Sequence, residues 1–370
     1  MELASDFFHS FLSFILIISV IVFIHEFGHY YVAKLCGVRV EAFSIGFGPE
    51  IYGWFDKDKT RWKISAFPLG GYVKMFGDVG EASTPDKKKL EKLSKEERRY
   101  AFHLKPLRQK AAIVSAGPAA NFILAIVILS IFFLYYGRPE TLPVVGDVMA
   151  GSAADQAGFK KDDVIVELDG QKIERFEQIQ RIVSLNPGLP LDYVIDRNGN
   201  LITGSLTPIL VETTDIFGNK IVAGRLGITS GKVQHVKMDL ATAIVAGFTE
   251  TYNISVNTLK AVGQMITGQR SADDLSGILR IGKYSGQAAE KGFSTILWFM
   301  AVLSINLGLI NLFPIPMLDG GHLLYYAVEA ARGRPLAEKV QEYGFRFGLV
   351  LLITLMVFAT FNDLKYFNIF

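Results

Sequence analysis

Five residues near the start of the chain, His25-Glu26-Phe27-Gly28-His29, have the types and spacing to bind a metal ion and to use it. On a helix of 3.6 residues per turn His25 and His29 share one face, where both imidazoles can reach a single ion. Glu26 sits one step round, beside that ion. Neutral imidazole is a good zinc ligand, and a carboxylate next to zinc can take a proton from a bound water whose pKa the ion lowers to about 7. The surroundings sharpen this reading. Phe11 to Ile24 carry no charge, so a helix continuing into the motif takes two imidazoles and a carboxylate to bilayer depth. Ionisable groups there cost at least a few kcal/mol and mark function by default. A chance HExxH in a soluble acidic helix would have no such setting.

Two histidines do not complete a catalytic zinc site, which usually takes three protein ligands and leaves one position for water. The candidate for the third lies in Asn311-Leu312-Phe313-Pro314-Ile315-Pro316-Met317-Leu318-Asp319-Gly320-Gly321-His322. Two prolines break the helix there, which a membrane tolerates only where neighbouring groups or water satisfy the freed backbone. Asp319 can thus be presented from an irregular turn. Asp-Gly-Gly also reads as an ordinary surface turn. His322 is the alternative third ligand, or an outer partner of the site. Asn311 could donate to a substrate carbonyl or an oxyanion, or could simply tie membrane helices together. Pro314 and Pro316 shape the backbone.

The elements that must position these groups follow from composition. The 370 residues are 50% hydrophobic with mean hydropathy +0.30, too apolar for an ordinary soluble protein and too charged to be membrane throughout. Residues 7–34, 109–136, 294–313 and 343–361 are each long enough to cross about 30 Å of hydrocarbon. The expected fold is a polytopic α-helical membrane protein with four transmembrane helices, a membrane-associated β region and one periplasmic α+β domain. Lys105, Arg108 and Lys110 flank the second span on one side, and Arg138 stands nearly alone at its other end. Arg332, Arg334 and Lys339 between the last two spans agree in placing these loops in the cytoplasm. Both termini and residues 138–292 then face away from it.

The same composition excludes other classes. A net charge of +2, with no basic stripe interleaved with aromatics, gives no basis for a nucleic-acid partner. The run from Lys87 to Arg99 reads as a solvated loop. Cys36 stands alone, so no intramolecular disulfide can form. The first apolar segment does not read as a removable signal peptide, since it holds the metal motif and follows Glu2 and Asp6 rather than a basic stretch.

If a zinc site at bilayer depth hydrolyses peptide bonds, its substrate hides those bonds within its own helical hydrogen bonds and has to be held extended. Residues 39–76 fit that need. Val40, Ala42, Ser44 and Gly46 alternate, as do Trp62, Ile64 and Ala66, and glycines precede Tyr72-Val73-Lys74-Met75. We expect a small sheet dipping toward the membrane from the cytoplasmic side, to which substrate adds as a further strand. A sheet that merely packs on the helices is the plainer alternative. Residues 143 to about 210 alternate short β runs with a helix near Phe176 to Val183, and their order resembles a circularly permuted PDZ domain, with Leu226-Gly227-Ile228 as a closing strand. From about Leu240 to Met265 an amphipathic pattern predicts a helix lying along the periplasmic surface. Gly117, Ala119 and Ala120 fit close helix packing, and Asn121 a bond across helices.

HExxH in the first span, Asn-x-x-Pro-x-Pro-x-Leu-Asp-Gly in the third, and an insert between the second and third resemble the site-2 protease family. The similarity is to its bacterial branch, the regulator-of-sigma-E type of zinc intramembrane protease. It takes in Gly46-Phe47-Gly48, Pro68-Leu69-Gly70-Gly71-Tyr72-Val73, Gly117-Pro118-Ala119-Ala120-Asn121 and Leu275-Ser276-Gly277-Ile278, where the family has proline in place of Ile278. The resemblance implies His25, His29 and Asp319 as zinc ligands and Glu26 as general base. It places Asn311, Pro314 and Pro316 near substrate, with Gly46, Gly48, Gly70, Gly71 and Tyr72 as contacts from the β region. It implies an inner-membrane endopeptidase acting on single-span proteins, either a trimmed anti-sigma factor or remnant signal peptides, with the PDZ-like domain as a steric filter. Relatives carry two tandem PDZ domains, and this chain has room for one.

The domain boundaries expected are 1–36 for the first helix, 37–108 for the cytoplasmic loop with the β region, and 109–137 for the second helix. The PDZ-like domain takes 138–231 and the periplasmic amphipathic segment 232–292. The third helix with its Leu-Asp-Gly takes 293–322, and the fourth with its tail 323–370. Two rivals are a silent membrane adaptor, which needs no Glu26, and a transporter with a structural metal, for which the spans show no repeated halves.

Overall fold

A computed structural model describes residues 2–80, 90–214, 220–231, 233–268 and 275–367. Two compact units result. One holds Met1–Phe132, Ala241–Gly263 and Ser271–Phe370, and the other Phe133–Leu240 with Gln264–Arg270.

The first unit opens with α1 (Glu2–Leu35), apolar on all sides through its middle, as a helix surrounded by lipid or protein must be. It leads into β1 (Val40–Phe55) and β2 (Arg61–Met75), which fold over each other. Residues 42–45 of β1 lie between 71–74 of β2 on one side and 61–64 on the other, while 50–55 pair with 61–65. Two long strands thus make four segments, with 71–75 at an outer edge that no other described strand covers. The hairpin turn is fixed by Asp56, whose carboxylate accepts from Asp58 N, Thr60 N, the Trp62 indole at 3.0 Å and the Tyr30 hydroxyl of α1 at 3.2 Å. Beneath the sheet, Phe43 is fully buried and stacks on Trp62 at 4.3 Å, in a core shared with Ala33, Val73, Phe102 and Ile113. Burying a phenylalanine side chain contributes ~1.5–3 kcal/mol. Of the expected solvated loop from Lys87 to Arg99, residues 87–89 lie outside the described residues, and the remainder ends in a 3-10 turn, Glu97–Tyr100, with no buried side chain. Then comes α2 (Leu107–Tyr136), one continuous helix with Pro118 inside it.

In the second unit β3 (Arg138–Thr141) pairs with β12 (Val233–Val236), and β4 (Val145–Val148) with β11 (Ile228–Ser230). After the single turn of α3 (Ala153–Gln156), β5 (Val164–Leu168) and β6 (Gln171–Lys172) join β7 (Leu191–Arg197) and β8 (Asn200–Leu206) in the order β6-β5-β7-β8. The helix α4 (Phe176–Leu185) closes the unit, burying Phe176, Ile179, Ile182 and Val183 along one stripe at helical spacing. A hairpin of β9 (Ile209–Thr214) and β10 (Lys220–Arg225) has no counterpart in the sequence reading. Asp163 is buried and holds Arg197 through two contacts of 2.7 Å.

The first unit resumes with α5 (Leu240–Ile266), α6 (Ile278–Glu290), α7 (Phe293–Leu312), α8 (Asp319–Arg332) and α9 (Glu338–Tyr366). Among the described residues four helices, from α1, α2, α7 and α9, are long and apolar enough to cross a membrane. The fourth extends beyond the 343–361 expected at both ends. The helix expected over about 240–265 is α5, and it runs against the flanks of apolar helices. Its Gly247 fits against Ile126 and Ser130 of α2, and its Thr258 meets Asn306 of α7 at 3.3 Å. The small and hydroxyl side chains that looked like a polar face are a packing face, and Val245, Phe248 and Tyr252 point outward.

Candidate metal centre

The HExxH residues lie on α1, and both histidines are buried. Their Nε2 atoms stand 3.2 Å apart. Asp319 Oδ2 lies 3.3 Å from His25 Nε2 and 3.4 Å from His29 Nε2. These three residues are the group among the described residues that could hold a metal ion. Tetrahedral zinc with bonds of about 2.0–2.1 Å keeps its ligand atoms about 3.3 Å apart, so the triangle has the edges of one face of that tetrahedron. Asp319 Oδ2 is moreover buried without a hydrogen-bond partner, which is costly for a carboxylate unless a cation is bound. The donor set therefore fits zinc.

Asp319 reaches the triangle because the chain breaks before it. The helix α7 ends at Leu312, Pro314 and Pro316 forbid its continuation, and Met317 takes a φ of 87°, which a non-glycine residue holds only under strain. Asp319 then begins α8, where the positive end of the helix dipole favours a carboxylate. His322 is not part of the triangle. One turn further along α8, it faces the same cavity.

The helix α2 backs the histidines. His29 Nδ1 donates to the main-chain oxygen of Ile113 at 2.9 Å, which leaves Nε2 free for a metal. His25 Nδ1 lies 3.0 Å from the side-chain amide of Asn121. Between them, Gly117 leaves the space that His29 occupies, and a Cβ there would overlap its Nε2. The sequence reading took Gly117 for close packing and Asn121 for a bond across helices, and it named no partner for either because nothing along the chain shows which helix α2 faces.

A cavity of about 500 Å³ opens at the triangle. Glu26, Asn311, His322, Gly70, Gly71 and Tyr72 are on its wall with the three metal-site residues, and so is Phe47. Gly71 belongs to the uncovered edge of β2, so close to α1 that a Cβ on it would stand 3.0 Å from Glu26 Cγ. Four expected contacts are not on that wall. Gly46 and Gly48, with φ of 89° and 86°, let β1 bend where its register with β2 skips. Pro314 is exposed. Pro316 meets α9 through its main-chain oxygen, at Gly348, where any Cβ would collide. Gly344 and Gly348 form a G-x-x-x-G pair on an apolar helix, a legible packing signal that the sequence reading passed over.

Leu275-Ser276-Gly277-Ile278 has a structural account. Asp363 of α9 is fully buried and accepts from Gly277 N, Leu279 N and Arg280 N, with the Arg280 guanidinium beside it at 3.1 Å. It caps α6 from another helix, and Gly277 leaves room for it.

The model of peptidase family M50 matches residues 13–355. A protein of Agrobacterium fabrum named "Putative zinc metalloprotease Atu1380" is 47% identical over 95% of this chain and 94% of its own length. One of Caulobacter vibrioides, "Metalloprotease MmpA", is 38% identical over 97% and 96%. Among solved structures, the PDZ domain of an SdrC-like protein from Listeria innocua is 19% identical, covering 26% of this chain and 99% of that one with a TM-score of 0.20.

Proposed function

The chain belongs to peptidase family M50 and is a zinc metalloprotease, and from that premise we propose that it is an intramembrane endopeptidase cutting within or beside the transmembrane helix of single-span proteins. The observation that carries this reading is the triangle of His25, His29 and Asp319 in one cavity with Glu26 and the uncovered edge of β2. His25 Nε2, His29 Nε2 and Asp319 Oδ2 hold the zinc. Bound there, zinc supplies electrophilic activation of a water and of the scissile carbonyl. Glu26 accepts the proton of the attacking water at its carboxylate and later delivers it to the leaving amine nitrogen. Substrate unwinds and adds to β2 along residues 70–75, so that its main chain is hydrogen-bonded while one peptide group faces Glu26. Asn311, on the wall of the same cavity, donates to the substrate carbonyl.

The membrane placement belongs to the same proposal. The four apolar helices cross the bacterial inner membrane, the metal site opens toward the cytoplasmic side, and the second unit lies in the periplasm. Substrates are anti-sigma factors already trimmed outside, or remnant signal peptides. The PDZ-like unit acts as a filter on what reaches the membrane site. A second role for it is supported by a groove of about 550 Å³ between β11 and α4, lined by Phe176, Ile179, Val183, Leu226 and Ile228. An extended peptide added to β11 would fill that groove.

The test uses purified protein in liposomes, a single-span model substrate and Glu26→Gln beside the parent, with zinc measured in both. Cleavage by the parent alone, zinc being present in both, supports the reading. Zinc-loaded parent that leaves a series of truncated single-span substrates intact sinks the proteolytic assignment. A parent that takes up no zinc sinks the site.

A further inference from the structure

We propose that Asn121 is the positioning residue of the metal ligand His25: its amide turns Oδ1 toward His25 Nδ1 and accepts the proton there, fixing the tautomer that leaves the Nε2 lone pair for zinc. The inference rests on the metal-site reading above and goes beyond it. His25 Nε2 faces His29 Nε2 and Asp319 Oδ2 at 3.2 and 3.3 Å, so it is the ligating nitrogen. A neutral imidazole that ligates through Nε2 carries its proton on Nδ1 and needs an acceptor there. The Asn121 amide is the group within reach, at 3.0 Å, and Asn121 is fully buried.

An asparagine amide has two ends alike in shape, and its partners decide which end faces where. With Nδ2 toward His25, two donors would oppose each other, and Oδ1 would remain buried without a partner. With Oδ1 toward His25 the opposition of donors vanishes, and Nδ2 takes the place where Oδ1 had no partner. The residue is well anchored for this, since its main-chain oxygen accepts from the Ser304 hydroxyl of α7 at 2.8 Å. Asn121 thereby does for His25 what the Ile113 oxygen does for His29. Both acceptors come from the one helix, α2, so the imidazole pair is oriented by a single rigid element.

The experiment uses the full-length protein in detergent. Zinc affinity is read by competition with a chelator, and the ligand field by the absorption spectrum of the cobalt(II) form. Asn121→Leu keeps the volume and removes the acceptor, and should weaken zinc binding about 10–100-fold, the usual effect of losing such a partner. Asn121→Asp offers an oxygen whichever way it turns. It should stay within a few-fold of the parent and keep the parent's cobalt spectrum. Circular dichroism and the unfolding midpoint of the metal-free proteins separate loss of metal from loss of fold. Asn121→Asp losing zinc as Asn121→Leu does would overturn the proposal, as would Asn121→Leu binding zinc like the parent. If Asn121→Leu does not fold, Asn121→Asp decides alone; if neither folds, Asn121 is a packing residue and the proposal falls. A parent that binds no zinc would instead overturn the site reading itself.

Discussion

The metal site depends on groups that bind nothing themselves. Gly117 is the clearest case, because the position of its missing Cβ is taken by His29 Nε2. Gly117→Ala should cost the protein most of its zinc, measured as metal per chain after gel filtration. Gly117 is buried, and an added methyl that overlaps the imidazole costs about 1–3 kcal/mol, so the metal-free protein should unfold somewhat earlier than the parent while keeping its helix content. Zinc retained at parental stoichiometry would show that His29 has another way to reach the ion. Glu26→Gln should behave in the opposite sense, keeping its zinc and losing turnover, since the amide cannot accept a proton. At this scale the HExxH and the Leu-Asp-Gly are legible because their chemistry is carried by side-chain type and spacing. Gly117 and Asn121 are not, because their roles exist only once α2 lies against α1.

Among the elements, the outer segment of β2 and the capped start of α6 make separate predictions. Gly71→Val would press a branched side chain against Glu26 and the Ser44 oxygen, pushing the strand edge away from the reaction. We expect cleavage of a single-span substrate to fall by about 100-fold, the scale of a 1 Å misplacement, with zinc content unchanged. Unaltered turnover would argue that substrate does not use this edge. Asp363→Ala strips three main-chain donors of α6 and the Arg280 guanidinium of their acceptor. Removing one partner of a buried pair costs about 3–5 kcal/mol, so the thermal midpoint in detergent should drop markedly, whereas a midpoint like the parent's would mean water reaches Arg280. Alternating residues announced the β1–β2 sheet. Its doubled-back register depends on where Gly46 and Gly48 bend the strand, and no pattern of periodicity announces that.

At the scale of the whole molecule, the two units carry different kinds of surface and core. In the first, α9 shows large apolar side chains such as Phe347, Val350, Met356 and Val357 on its outer face, more than a water-facing surface carries. The second has a closed apolar core around Ile165, Leu168 and Ile195, with one buried carboxylate whose pairing predicts a pH dependence. Burial pushes the Asp163 carboxyl up, but the Arg197 fork and the Lys160 N–H outweigh it and hold the group below the usual carboxylate range. A group depressed in the folded state stabilises fully above the unfolded carboxylate pKa of about 3.9, and that stabilisation is lost as pH falls through the folded value. Asp163→Asn should therefore lower the unfolding midpoint of the second unit at pH 7 and flatten its fall in acid. Parallel curves for variant and parent would remove Asp163 from that role.

The sequence by itself determined the metal chemistry and the long apolar helices. Histidines four apart, a glutamate between them and an uncharged apolar run around them announce a metal and a membrane, because both signals reside in residue types along one helix. The tertiary structure decided how the site is completed and oriented. It joins Asp319 to residues nearly 300 positions earlier, turns Asn121 and Ile113 toward the imidazoles, and brings an uncovered strand edge to Glu26. Those relations depend on which helix faces which and on where the chain bends, and packing in three dimensions sets both.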